Sequence, residues 1–112
     1  MKQGEIILIK FTFSDHSDFK MRPALVISNK NLNNSDDIII LGISSQKGST
    51  KSFVSLRNED LTKGEIMKQS FVKCGSVLTI EKSLIVKTVA VITDKKLEEV
   101  LCKFSCFISF EK

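Results

Sequence analysis

The chain of 112 residues has no tryptophan and no tyrosine, a single proline, a single histidine and two arginines, Arg22 and Arg57. All eight aromatics are phenylalanine, so any stacking on a nucleobase falls to Phe rings or to guanidinium planes. The three cysteines, Cys74, Cys102 and Cys106, lack CxxC spacing and have one histidine for company, which argues against a zinc site. None stands in a recognisable Cys–His pairing, so no thiol nucleophile is nominated. Cys102 and Cys106, four apart on an expected helix, read as reduced thiols. Long apolar runs are missing as well: Ile6–Ile9 is far too short to span a bilayer. The opening Met1-Lys2-Gln3-Gly4-Glu5 leads into an alternating strand instead of the apolar segment of a signal peptide. A cytoplasmic protein without membrane contact is expected.

What is present is a mildly basic, moderately apolar chain. Hydrophobic residues make up 42% of it, which fits a folded domain, and the length suits one domain spanning 1–112. Lysine and arginine total 17 against 13 acidic residues, for a net charge of +4. That balance suits an anionic partner.

The proline stands in Lys20-Met21-Arg22-Pro23-Ala24-Leu25-Val26-Ile27-Ser28-Asn29. Proline disfavours the helical conformation for its predecessor, so Arg22 is expected extended at the mouth of a strand. Ala24 to Ile27 are small or branched and read as a buried strand ending at Ser28-Asn29. A cation seated at the rim of a sheet suits a phosphate; an arginine merely solvated at a strand end is the competing reading.

Elsewhere, Ile7, Ile9, Phe11 and Phe13 alternate with Leu8, Lys10 and Thr12 and predict a first strand. A polar loop with His16 follows. After the Arg22 strand comes a turn over 31–36, then an apolar strand at Ile38–Leu41 that runs into Gly42-Ile43-Ser44-Ser45-Gln46. Lys47 to Lys51 read as a flexible basic loop, Ser52–Leu56 as a short strand and Asn58–Leu61 as one helical turn. Ser70–Thr79 and Leu84–Ile92 are further strands. The chain closes with a helix in which Asp94 is the expected N-cap and Leu97, Val100, Leu101, Phe104 and Ile108 face the core. Six or so strands and one terminal helix predict a mainly β fold, a small, partly open barrel with a helix packed on it.

Four segments occur in order: Gly4-Glu5-Ile6, Arg22-Pro23-Ala24-Leu25-Val26-Ile27-Ser28-Asn29, Ile43-Ser44-Ser45-Gln46 and Thr79-Ile80-Glu81-Lys82-Ser83. Together they resemble the MazF/PemK (Kid) toxin family over nearly the whole chain. The resemblance implies an SH3-like barrel of the CcdB/Kid/MazF type with a C-terminal helix. It also implies a homodimeric toxin of a type II toxin–antitoxin system, inhibiting growth and restrained by an acidic antitoxin. The implied activity is sequence-specific, metal-independent cleavage of single-stranded RNA without a cofactor. The substrate's own 2′-hydroxyl is the nucleophile, leaving a 2′,3′-cyclic or 3′-phosphate and a 5′-hydroxyl.

By position, the resemblance implies that Arg22 holds the scissile phosphate and stabilises its charge. Ser44 falls where the family most often has threonine; its hydroxyl is expected to reach a phosphate oxygen or the 2′-hydroxyl, the alternative being a cap on the following turn. His16 is a candidate base or acid, set against the reading of a plain surface histidine. Lys20, Lys47, Lys51 and Lys73 are expected at the RNA backbone, with Gln46 and Phe19 beside them; Phe19 reads equally as an apolar plug. Three positions depart from the pattern: Lys73 and Gly75 stand where the Kid/PemK branch has an arginine and an aspartate, and Leu78 replaces an arginine. Gly75 and Leu78 favour the alternative of a catalytically impaired RNA- or protein-binding module. A barrel that poisons a protein target, as CcdB toxins do, is a third reading. Glu81 and Lys82 are read as positioning or interface residues.

Overall fold

The computed structural model describes residues 2–12, 19–48 and 51–111. Seven antiparallel strands form one sheet: β1 Glu5–Thr12, β2 Phe19–Val26, β3 Asp37–Ser44, β4 Phe53–Leu56, β5 Leu61–Gly64, β6 Ser70–Glu81 and β7 Ile85–Ile92. They lie in the order β4-β6-β3-β2-β1-β7-β5. A short helix, α1 (Lys30–Asn33), bridges β2 and β3, and α2 (Asp94–Cys106) follows β7. Among the described residues no helix is long and apolar enough to cross a membrane.

The sheet is apolar on both faces because its strands curl. Ile6, Leu25, Leu41, Leu56, Val72 and Ile92 gather on one face, and α2 lays Val100 into them with Leu97, Leu101 and Phe104 alongside. Ile7, Ile9, Ala24, Val26, Ile38 and Ile40 form a second cluster on the other face. This explains why Ile6 and Ile7, and likewise Leu25 and Val26, are buried in adjacent pairs: each strand feeds both clusters, so strict alternation of apolar and polar residues is lost.

Several expectations need correction. β2 begins at Phe19, so Arg22 lies inside the strand opposite Ile9, not at its mouth. Pro23 is accommodated because β3 pairs with β2 only from Ala24 onward; a missing N–H is tolerated where one side of the strand is open. The Asn-rich turn contains α1, capped by the Asn29 side chain, which accepts from the Asn31 N–H at 2.9 Å. Thr93, not Asp94, is the N-cap of α2, its hydroxyl accepting from the Lys96 N–H at 3.1 Å; Asp94 occupies the first turn. Ile108 lies past the helix end and is exposed. β5 was not foreseen, because Leu61-Thr62-Lys63-Gly64 carries no apolar alternation.

The Ser28-Asn29 and Thr79–Ser83 segments are tied together by hydrogen bonds around α1. Ser28 Oγ accepts from the Ile39 N–H at 2.9 Å and donates to Asn33 Oδ1, while Asn33 Nδ2 donates to the Ser28 carbonyl at 2.6 Å. Lys82 Nζ donates to the Asn33 carbonyl. The buried Ser28 and Asn33 are thereby satisfied, as burial of polar groups requires.

Candidate functional site

A cleft of about 620 Å³ opens across the ends of β2, β3 and β6. Register explains why. β2 leaves β3 at Ala24, and β3 passes from β6 to the 45–48 loop after Ser44, opposite Phe71. The sheet therefore parts at the point where Arg22 and Ser44 project.

Arg22 and Ser44 line this cleft together, with Lys20, Gln46 and Lys73 of the predicted residues. Arg22, Pro23, Ile43 and Lys73 also line a second, smaller cleft of about 190 Å³ floored by Ile9, Ala24 and Ile40. Arg22 thus stands on the ridge between two depressions, and its guanidinium lies over the Phe11 ring, 5.8 Å from the centroid. Among the described residues no carboxylate pairs with it. A planar fork braced on one side by an aromatic ring and free of an internal anion is disposed to receive an external one.

Ser44 is engaged locally. Its hydroxyl accepts from the Gln46 N–H at 3.0 Å and donates to the Gln46 carbonyl at 3.2 Å, closing the turn into the next loop. Capping the turn and lining the cleft are compatible: the turn orients the hydroxyl at the cleft wall.

The other predicted residues separate. Lys47 lines a different depression of about 300 Å³ with Phe53, Phe71 and Lys103. Lys51 is exposed and belongs to neither of the Arg22 clefts. Phe19 opens β2 opposite Thr12, but its ring falls outside what the structure describes, and His16 lies outside the described residues altogether. Gly75 does not line the cleft, and a side chain added there would meet nothing within 4 Å. Leu78 lines the smaller cleft.

The far wall of the main cleft escaped sequence reading. It is the loop between β5 and β6, contributing Glu65, Ile66, Met67 and Lys68, and Ser70 at the start of β6. The local signal for it is Lys63-Gly64, a breaker that closes a strand lacking apolar alternation. Lys20, Arg22, Lys68 and Lys73 make the cleft cationic, with Glu65 the one carboxylate among its described lining residues. Such a surface fits a polyanion.

Burial beneath α2 pushes the Cys74 thiol up to about 11, with Lys103 pulling against the shift and Glu99 adding to it. Cys74 is therefore an inert core residue. Among the described residues no three His, Cys, Asp or Glu side chains gather as a metal site.

Residues 2–107 match the family described as the PemK-like, MazF-like toxin of type II toxin–antitoxin systems. No functionally curated protein matches the sequence. Among solved structures, the chain is similar to an endoribonuclease in complex with its cognate antitoxin from a mycobacterial species. The two are 12% identical with a TM-score of 0.77, covering 100% of this chain and 98% of that one. It is similar also to a MazE–MazF complex from Deinococcus radiodurans, at 18% identity and a TM-score of 0.79, covering 99% of this chain and 98% of that one. At these identities the structures speak to the fold, which is shared from end to end.

Proposed function

From a chain that belongs to the PemK-like, MazF-like toxin family of type II toxin–antitoxin systems, we propose an endoribonuclease whose cationic cleft cuts single-stranded RNA. The observation that carries the reading is the meeting of Arg22 and Ser44 on one cleft, amid Lys20, Lys68 and Lys73. The lysines hold the backbone without reading its sequence, and Gln46 at the rim offers an amide to a base. The Arg22 fork grips the scissile phosphate and stabilises charge as it builds on the non-bridging oxygens. The substrate's 2′-hydroxyl attacks that phosphorus, so the protein supplies orientation and electrostatics instead of a nucleophile. Ser44 aligns the attacking group or the phosphate. An acidic antitoxin competes for the same cations, which is a sufficient means of inhibition. The working form is a homodimer in the cytoplasm, where its messenger RNA substrate is found.

The test is purified protein with long single-stranded RNA in EDTA, beside Arg22→Ala. Cleavage to 2′,3′-cyclic or 3′-phosphate and 5′-hydroxyl ends is expected from the native chain alone. Intact RNA, or full activity in Arg22→Ala, refutes the reading. The second reading, a non-cleaving RNA- or protein-binding module, is favoured by Gly75. That position offers no acid or base although open space would admit one.

A further inference from the structure

Cleavage by an internal hydroxyl needs a group that takes the hydroxyl's proton, and Arg22 cannot do so because a guanidinium stays protonated. An ammonium group has no lone pair to offer, and hydroxyls and amides are poor bases. That leaves one side chain among the described residues of the cleft, Glu65.

Glu65 sits in a loop that is built, not merely permitted. On its N-terminal side Gly64 has φ +74, and a Cβ there would fall 2.2 Å from the Val89 carbonyl oxygen and 2.8 Å from Ala90 Cα. Only glycine allows β5 to press against β7 and turn there. On the C-terminal side the Asn58 side chain clamps the next residue twice. Asn58 Oδ1 accepts from the Ile66 N–H at 2.7 Å, and Nδ2 donates to the Ile66 carbonyl at 3.1 Å. Residues 64 and 66 are thus both tied to the sheet side, and Glu65 between them is carried to the cleft wall. Its carboxylate makes no ion pair among the described residues, although Lys20 and Arg22 of β2, Lys68 of its own loop and Lys73 of β6 line the same cleft.

We propose that Glu65 is the general base of the cleft, held in place by Gly64 and the Asn58 clamp, a role that rests on the RNA-cleavage reading above. The 2′-hydroxyl proton passes to the Glu65 carboxylate as the O2′–P bond forms. The P–O5′ bond breaks, the 5′-oxygen takes a proton from water, and Glu65 returns its proton to solvent. The products are a 2′,3′-cyclic phosphate and a 5′-hydroxyl, and charge and protons balance. Glu65 is the catalytic residue here, and Asn58 is a positioning residue.

Single-turnover cleavage of one defined single-stranded RNA by the full chain tests this. Binding is measured separately with the same sequence carrying 2′-O-methyl groups, which cannot be cut. Glu65→Gln, an exposed and nearly isosteric change, should cut about 100-fold more slowly or worse. It should bind the uncuttable RNA as well as native or better. Asn58→Ala should lower the rate while leaving RNA affinity in place. Cleavage by Glu65→Gln within about threefold of native overturns the role, as does its loss of RNA binding. Those outcomes leave the nuclease reading standing, whereas a native chain that cuts nothing removes both.

Discussion

The guanidinium carbon of Arg22 lies 5.8 Å from the centroid of the Phe11 ring. The pairing is a consequence of register: Arg22 faces Ile9 across β1 and β2, so Phe11, two residues further along, is its diagonal neighbour on the same face. The ring limits the directions the fork can take. Phe11→Ala should lower RNA cleavage about two- to fivefold, the size of an exposed cation–π contact. Arg22→Ala should lower it about 100-fold or more, because it removes the charge itself. Equal effects of the two substitutions in the same assay would show that Phe11 does more than brace the fork.

Ser44 combines a turn and a cleft wall, and the two duties can be separated by substitution. Ser44→Asn preserves an acceptor for the Gln46 N–H and so keeps the turn, but it carries no hydroxyl. Ser44→Thr preserves both. We expect Thr to retain cleavage and Asn to lose about tenfold or more, with unchanged thermal unfolding. Full activity in Ser44→Asn would assign the residue to the turn alone.

Two glycines predict opposite stabilities. Gly64→Ala forces a Cβ against the Val89 carbonyl at positive φ and should cost about 2 kcal/mol or more. Gly75→Ala meets nothing within 4 Å and should be neutral or stabilising by up to about 1 kcal/mol, through the unfolded chain. Urea unfolding of the two variants beside native protein measures both.

The thiols should react in two classes. Cys102 and Cys106 are exposed, whereas Cys74 is buried with its proton affinity raised to about 11. At pH 8 a thiol reagent should label two cysteines in the folded chain and the third only on unfolding. The folded value lies above the ordinary 9.0, so the contribution of Cys74 to stability is fully present below about pH 9. It is lost as pH rises through about 11. Cys74→Ser or Ala should flatten that part of the stability–pH curve.

The chain wrote its strands, its helix and its cationic character into local pattern. Ile38–Leu41 reads as a buried strand because nothing else accommodates four branched residues in a row, and the period of Leu97, Val100, Leu101 and Phe104 can only be helical. Segment order was enough to reach the family. Boundaries were less legible. Thr93 and Asp94 are both good caps, and which one caps depends on where β7 releases the chain. β5 was invisible because its partner, not its composition, makes Leu61-Thr62-Lys63-Gly64 a strand.

The site shows the same division. Arg22 stands out because the proline beside it is a local mark, whereas Ser44 is singled out by the resemblance alone. Their company was decided by tertiary structure: Lys73 joins them and Lys47 departs to another depression. Glu65 enters from a loop that is 43 positions beyond Arg22 in sequence. No local rule connects those positions. Only the order β2-β1-β7-β5, which carries the chain around the curled sheet to the far side of its opening, sets a carboxylate and a guanidinium on one cleft.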